Sequence, residues 1–247
     1  MRIDKYLFEN NYAKSRSYAA TMIREGLVYC NQKQVTKASL EITEHDLVEI
    51  RGEVLRYVSR GGLKLEGALR AFNIDVHGMI AADIGASTGG FTDCLLQNGA
   101  KKVYAIDSGS SQLHPSLCQN NRVISMENCN VRYLKKEDIP EVCQIAVCDV
   151  SFISQTLLHR PIASILADRA IFITLIKPQF EVGREGLGKG GIVKKEAYRK
   201  LACDNVIASC TANGFSFQSL IPSPIQGGDG NIEYLAYFLY QKQSDFH

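Results

Sequence analysis

The chain has 247 residues, 45% of them hydrophobic, which is enough to bury a large core in one or two domains. Its net charge of +2 neither demands nor excludes a nucleic-acid partner. The eight cysteines form no CxxC pair and no His/Cys ligand spacing, so we expect no bound metal. A charged start and the shortness of the longest strongly apolar stretch, 170–176, argue against a signal peptide and a membrane span. We therefore expect a soluble, cytoplasmic protein.

The N-terminal stretch has the pattern of two helices followed by a small hairpin sheet. Helical spacing covers 3–10 and 15–25, with Ser15 placed as an N-cap and Gly26 just past the last turn. Short β-like pieces follow at 27–30, 33–35 and 46–50. Residues 1–37 carry seven Lys or Arg against three acids, which makes this module a candidate for binding a nucleic-acid backbone. Charge alone predicts an ordinary solvated surface equally well.

From residue 79 onward, strands alternate with helical stretches, and this alternation predicts an α/β fold with a doubly wound, mostly parallel sheet. The seven predicted strands lie near 79–84, 102–107, 122–126, 144–149, 170–177, 215–219 and 232–240. The predicted helices lie near 62–72, 89–98, 152–167 and 194–212.

A glycine-rich loop follows the first of these strands, in AADIGASTGGFTDCLLQNGAKKVYAID (81–107). A dinucleotide fingerprint would need glycine where Ser87 stands between Gly85 and Gly90. A phosphate-binding P-loop would need lysine where Phe91 stands. The loop therefore favours an adenosine-like ligand that lacks a phosphate chain.

S-adenosylmethionine fits that description. Asp83 ends the strand and can reach the amino-acid end of this ligand, directly or through water. Gly85, Gly89 and Gly90 let the backbone turn tightly and approach the ligand, and Asp107 ends the next strand, where an acid accepts hydrogen bonds from ribose hydroxyls. The alternative is an ordinary strand-to-helix turn, for which the glycines alone would suffice.

Four charged residues lie at or near the strand ends where doubly wound sheets bind ligands. Asp149 and Lys177 each end a strand, Lys64 begins a helix after SRGG, and Glu233 lies in the last strand. Taken singly, each is more often a solvated end or a local ion pair. Taken together, they suit methyl transfer to a ribose hydroxyl, with Lys177 as base, Asp149 orienting it, and Glu233 positioning Lys64.

The motifs of the chain resemble those of the TlyA, or haemolysin A, family, whose members carry an S4 RNA-binding domain before an FtsJ-type ribosomal RNA methyltransferase domain. The motifs that carry the resemblance are YVSRGGLKL, DIGASTGGFTD, CDVSFIS, IKPQFE, KGGIV and GNIEYL. The resemblance implies an S4-like domain over 1–58 and a methyltransferase domain over 59–247. It also implies 2′-O-methylation of cytidine in ribosomal RNA or ribosomal subunits, with S-adenosylmethionine as methyl donor.

The resemblance assigns roles to individual residues. The catalytic tetrad would be Lys64, Asp149, Lys177 and Glu233. The cofactor would lie against Asp83, Gly85, Ser87, Gly89, Gly90, Asp107 and Asn130. The residues that face RNA would be Arg2 and Lys5 in RIDKYL, Ser15 and Arg16 in AKSRSYA, and Arg60 at the start of the second domain.

The sequence departs from the family pattern at three places. Gln32 replaces a glycine in an S4 turn, which predicts a strained or altered turn. DSGSSQL (107–113) and ENCN (127–130) differ from the family beside the expected adenosine pocket. Two other functions remain open at this stage, a membrane-active haemolysin and a non-catalytic RNA-binding module.

Overall fold

A computed structural model describes residues 1–13, 15–24, 26–51, 56–227 and 230–242. The chain divides into two compact units, Met1–Leu55 and Arg56–His247. The division falls after residue 55, whereas the sequence placed it after residue 58. Glu25, at the end of the second predicted helix, lies outside the described residues.

The first unit packs two helices against a small antiparallel sheet. Its elements are α1 (Ile3–Glu9), α2 (Arg16–Arg24), β1 (Val28–Cys30), β2 (Lys33–Gln34) and β3 (Val48–Ile50), with the sheet order β2-β1-β3. Ile3, Leu7 and Met22 are almost fully buried between the layers. The Tyr18 backbone N–H donates to Ser15 Oγ at 3.1 Å, so Ser15 caps α2 as predicted.

The turn between β1 and β2 has the strain that the sequence predicts. Asn31 and Gln32 have φ angles of +49° and +64°, so both lie in the left-handed region. This geometry matches the twist of a tight hairpin and favours Asn or Gly. Gln32 adopts it at a steric cost that a glycine would avoid.

The second unit is a doubly wound α/β fold. Its helices are α3 (Gly61–Ala71), α4 (Gly90–Gln97), α5 (Pro115–Cys118), α6 (His159–Ser164), α7 (Pro178–Glu181) and α8 (Glu196–Ala212). Its strands are β4 (Ile80–Ile84), β5 (Lys102–Ile106), β6 (Val123–Met126), β7 (Cys143–Cys148), β8 (Leu166–Ile176), β9 (Phe215–Pro222) and β10 (Tyr234–Tyr240).

These seven strands form one mostly parallel sheet in the order β6-β5-β4-β7-β8-β10-β9. The strands from β6 to β8 pair in parallel, and β10 is antiparallel to both neighbours. The chain order reverses between β4 and β7, because β5 and β6 lie on one side of β4 and the later strands lie on the other. In such sheets a ligand binds at the carboxyl ends of the strands where the order reverses.

Both faces of the sheet are covered by apolar side chains. In β7, Ile145 and Val147 point into one buried cluster, and Ala146 and Cys148 point into the other. This alternation follows from the two-residue repeat of a strand. The two cores hold the carboxyl ends of β4, β7 and β8 in fixed relative positions.

The prediction of one helix over about 152–167 was wrong, because the helical part of this stretch is much shorter. A short 3₁₀ helix covers Gln155–Leu157, α6 covers six residues, and β8 begins at Leu166. Phe152 has a φ of +65°, which no right-handed helix accommodates. Within the described ranges, no helix has the length and apolar character needed to cross a membrane.

Candidate active site

The glycine loop lies at the carboxyl end of β4 and is packed against backbone. Gly85 has a φ of +82°, and a Cβ there would stand 2.5 Å from the Asp149 carbonyl oxygen. A Cβ on Gly90 would stand 2.9 Å from the Gly62 backbone nitrogen. Both positions therefore require glycine, since any side chain would push β7 or α3 away. The loop brings the starts of α3 and α4 beside the end of β7.

Within the described ranges, two cavities border this loop, and a third shares Ser151 with both of them. The loop cavity, about 310 Å³, is lined by Arg60, Lys64, the glycine loop, Asp149, Ser151 and Lys177, among others. The Asp107 cavity, about 420 Å³, is lined by residues that include Gly85, Ser87, Asp107, Asn130 and Asp149. The aromatic cavity, about 260 Å³, is lined by Ser151, Phe152, Lys177, Gln179, Phe180, Leu187, Gly190, Gly191 and Glu233. Ser151 lines all three, so the cavities meet at the loop that follows β7.

Asp107 both lines its cavity and orders the glycine loop. Its Oδ2 accepts the Ser87 backbone N–H at 2.8 Å, and its Oδ1 accepts the Gly109 N–H at 2.7 Å. A carboxylate has about four acceptor positions, so capacity remains for ligand hydroxyls. Asn130, also in this wall, caps a short helix by accepting the Arg132 N–H at 3.1 Å.

Asp83 lies behind the glycine loop and lines none of the three cavities. It is fully buried, and its Oδ2 accepts the Thr92 hydroxyl at 2.6 Å. Its Oδ1 has no hydrogen-bond partner within the part of the chain that the structure describes. Burial raises the pKa of Asp83 to about 7. The Thr92 hydrogen bond opposes this rise, and the negative charge of Asp149 adds to it. The Asp83 side chain therefore faces the interior of the second unit, and its contact with a ligand, direct or through water, stays a prediction.

The four charged residues singled out in the sequence form two ion pairs. Lys64 Nζ, on α3, lies 2.6 Å from Glu233 Oε2, just before β10, and both side chains are almost fully buried. Lys177 Nζ, just after β8, lies 2.5 Å from Asp149 Oδ1 and donates to Ser151 Oγ at 2.9 Å. Lys177 lines both the loop cavity and the aromatic cavity. The fold thus brings all four together from separate elements.

The aromatic cavity contains residues that the sequence reasoning did not assign. Phe152 is 92% exposed, and its ring centroid lies 5.3 Å from that of Phe180. Gln179 Oε1 is buried but makes no hydrogen bond to any described residue. Both residues belong to motifs quoted above, CDVSFIS and IKPQFE, but nothing in their spacing indicated a cavity between them.

Two of the predicted RNA-facing residues are joined through a buried acid in the first unit. Arg2 Nε lies 3.0 Å from Asp4 Oδ1, and Arg16 Nη2 lies 2.8 Å from Asp4 Oδ2. Burial alone would raise the pKa of Asp4, but the two arginines outweigh it and lower the pKa to about 2. Asp4 therefore fixes the two half-exposed guanidinium groups side by side.

The other three residues of that set are placed differently. Lys5 faces Glu9 at 3.6 Å on the surface of α1. Ser15 acts as a helix cap, as described above. Arg60 belongs to the second unit, where it precedes α3 and lines the loop cavity. No group of three or more His, Cys, Asp or Glu side chains in the described ranges is placed to hold a metal.

The fold and site define an α/β protein with cavities at the reversal point of the sheet, beside paired lysines and carboxylates. Residues 57–240 match the family described as FtsJ-like methyltransferase, and residues 1–48 match the S4 domain. The chain therefore belongs to the FtsJ-like methyltransferase family, whose members take their methyl group from S-adenosylmethionine, and it carries an S4 domain at its N-terminus. The resemblance drawn from the motifs is confirmed.

Several relatives match along most of their length. Hemolysin A from Brachyspira hyodysenteriae is 44% identical over 97% of this chain and 100% of that protein. The 16S/23S rRNA (cytidine-2′-O)-methyltransferase TlyA from Mycobacterium tuberculosis is 36% identical over 97% of this chain and 90% of that protein. A structure solved under the name hemolysin, from Streptococcus thermophilus, has a TM-score of 0.77 at 44% identity and covers 100% of this chain and 91% of its own.

Proposed function

We propose that the chain transfers the methyl group of S-adenosylmethionine to a ribose 2′-hydroxyl of ribosomal RNA, at cytidine, and that it acts in the cytoplasm. The observation that carries the proposal is the position of Lys177, in a wall shared by the loop cavity and the aromatic cavity. A group there can face a methyl donor on one side and an acceptor on the other. The names of the TlyA relatives supply the expectation of cytidine in ribosomal RNA.

The residues around the glycine loop fit S-adenosylmethionine. The loop cavity and the Asp107 cavity, about 310 and 420 Å³, share Gly85, Ser87 and Asp149 and together suit a ligand of this size. Gly85 would allow close approach of the ligand, and Asp107 would accept from ribose hydroxyls. The loop has no lysine for a phosphate chain. When bound, S-adenosylmethionine supplies an electrophilic methyl group on a positively charged sulfur. The Asp149 carboxylate would stabilise this positive charge.

Lys177 is placed to take the proton of the acceptor. A ribose hydroxyl is a poor nucleophile until its proton is removed or shared. Lys177, in its neutral form, would accept this proton at Nζ while the oxygen–methyl bond forms and the sulfur–methyl bond breaks, and would then release it to solvent. Asp149 and Ser151 fix the position of Nζ, and Glu233 holds Lys64, which lines the loop cavity with Lys177. Fixed placement of this kind supplies much of the rate gain.

The aromatic cavity would hold the base of the acceptor nucleotide. Phe152 offers an exposed ring face, and stacking of a base on an aromatic side chain contributes about 1–3 kcal/mol. The Gln179 amide carries a donor and an acceptor, the pair of groups that reads a base edge. Since Gln179 Oε1 has no partner among the described residues, this amide can turn toward a bound base.

The S4 domain would bind the RNA backbone. Arg2 and Arg16, held together by Asp4, suit bidentate contact with phosphate, and Lys5 adds a third positive charge. Arg60, in the wall of the loop cavity, would contact the backbone beside the acceptor. Contacts of this type position the RNA without reading its sequence.

Label transfer tests the proposal. Purified protein, ribosomal RNA or subunits and tritiated S-adenosylmethionine should give acid-insoluble label that nuclease digestion recovers as 2′-O-methylcytidine. Label recovered on a base, or no label above an enzyme-free control on naked RNA and on subunits, would contradict the proposal. The membrane-active alternative depends on a relative's name alone. A non-catalytic RNA-binding module would leave the two lysine–carboxylate pairs without a role, so no second function is proposed.

A further inference from the structure

The segment that follows β7, residues 150–155, connects the three cavities. Ser151 lines all of them, and Phe152 lines two. Phe152 holds a φ of +65°, a strained conformation for a bulky residue. Such a conformation persists only where the surrounding structure enforces it.

Glu181, the last residue of α7, binds the far end of this segment. Its Oε2 accepts the Ser154 hydroxyl at 2.6 Å, and its Oε1 accepts the Gln155 backbone N–H at 3.0 Å. Burial raises the pKa of the Glu181 carboxyl, while these hydrogen bonds oppose the rise. Both carboxylate oxygens are therefore used on residues 154–155.

Gln155 extends the attachment into the core. Its Nε2 donates to the Leu175 carbonyl at 3.3 Å, and its Oε1 accepts the Thr174 hydroxyl at 2.5 Å. Thr174 and Leu175 belong to β8, whose next residues lead to Lys177. At the near end of the segment, Asp149 and Ser151 contact Lys177 itself. The near end of the segment is thus attached to Lys177, which follows β8. The far end is attached to β8 and to α7, the helix that comes next.

We infer that Glu181 is a positioning residue for methyl transfer, because it holds segment 150–155 in the strained conformation that keeps Asp149 and Ser151 on Lys177 and the Phe152 ring exposed. Glu181 lines none of the three cavities, so it acts through the segment and not on a ligand. The kinetic part of this inference rests on the proposed function. The conformational part does not.

Glu181→Gln, in the full-length chain, is the direct test. Glutamine has nearly the same shape, but one end of its amide is a donor, so the Ser154 hydroxyl would have to turn and accept from it while the amide oxygen accepts the Gln155 N–H. Both hydrogen bonds would then lose the carboxylate charge, which makes them weaker. Misplacement of a reacting group by about 1 Å can cost about 10²-fold in rate. We expect kcat to fall by about 10-fold or more, with the affinity for ribosomal RNA unchanged. The matched control is Glu185→Gln, an exposed acid four residues on, which should leave kcat unchanged.

Fluorescence separates positioning from general stability and from the proposed function. The chain contains no tryptophan, so Phe152→Trp introduces a single reporter on the segment. In that background, Glu181→Gln should shift the emission maximum well below the melting temperature, Ser154→Ala should shift it less in the same direction, and Glu185→Gln should not shift it.

Unchanged emission together with a kcat within twofold of wild type would overturn the inference. A lowered melting temperature with normal emission and normal kcat would show a merely structural role and would overturn it equally. If the wild-type protein transferred no methyl group, the proposed function would fail, and the emission shift would still decide whether Glu181 holds the segment.

Discussion

Lys177 is the residue at which the contacts of the site converge. It follows the buried strand β8, and its ammonium group is held by Asp149 and Ser151 from the neighbouring strand end. Among the residues that the structure describes, only Lys177 and Ser151 line both the loop cavity and the aromatic cavity. Of these two, a lysine amine can accept a proton from a hydroxyl group, whereas a serine hydroxyl is far too weak a base to do so.

Lys177→Arg distinguishes a base from a fixed charge. Arginine keeps the positive charge and can still pair with Asp149, but it stays protonated at any pH a protein tolerates. We expect methyl transfer to fall by about 10²–10⁴-fold, with the affinity for S-adenosylmethionine nearly unchanged. Lys200→Arg, on a surface lysine that pairs with Asp204, is the control in the same tritium assay. Near-normal transfer by Lys177→Arg would assign the proton to another group.

Asp107→Ala should weaken the binding of S-adenosylmethionine by roughly 1–3 kcal/mol, measured by calorimetry. The substitution removes an acceptor for ribose hydroxyls, and it also removes the acceptors of the Ser87 and Gly109 N–H groups. The exposed Glu137→Ala is the control. Equal affinity for wild type and Asp107→Ala would show that the ligand does not use this cavity.

At the scale of elements, the strands were predictable and the connections were not. Seven predicted runs matched all seven strands of the sheet, and the pattern is strongest in the central strands, such as β4 and β7, which are buried on both faces. The helix expected near 152–167 failed because Phe152 adopts a positive φ, and the backbone near it is bonded to Glu181, a residue distant in sequence. The burial of the Asp83 side chain could not be predicted for a related reason. Whether a strand-end acid faces a cavity or the interior depends on the packing of the next helix, here through Thr92.

The burial of Asp83 in β4 predicts a pH dependence of stability. The folded pKa of Asp83, about 7, lies above its ordinary value of 3.8, so the native state holds a proton that the unfolded chain releases. This contribution to stability is present below about pH 4 and is lost as pH rises toward 7. Asp83→Asn, which cannot ionise, should raise the melting temperature at pH 8 by a few degrees, at about 2–4 °C per kcal/mol. At pH 5 the gain should be clearly smaller. An equal gain at both pH values would mean that Asp83 does not titrate on unfolding.

At the scale of the whole molecule, the chain joins an RNA-binding domain to a catalytic one. The matched domains and the two compact units agree on this division. Tyr57 is buried against Gly62, and the Val58 N–H donates to Asp93 Oδ2 at 2.9 Å, so residues 57 and 58 belong with the second unit.

Removal of residues 1–55 should leave the binding of S-adenosylmethionine intact, since the cavities are built from the second unit. The affinity for ribosomal RNA should fall, and its dependence on salt should become shallower because fewer phosphates are neutralised. Filter binding over a series of salt concentrations measures both. Equal affinity and an equal slope for the full chain and the truncated one would contradict the role proposed for the S4 domain.

The proposed activity, 2′-O-methylation of ribosomal RNA by the site around Lys177, can be tested by mapping 2′-O-methyl groups in cells. Ribosomal RNA should be compared from cells with the protein, without it, and with the Lys177→Ala variant at matched protein levels. We expect at least one cytidine that carries a 2′-O-methyl group only in cells with the wild-type protein. Identical maps in the three cases, or a group that the Lys177→Ala variant restores, would contradict it.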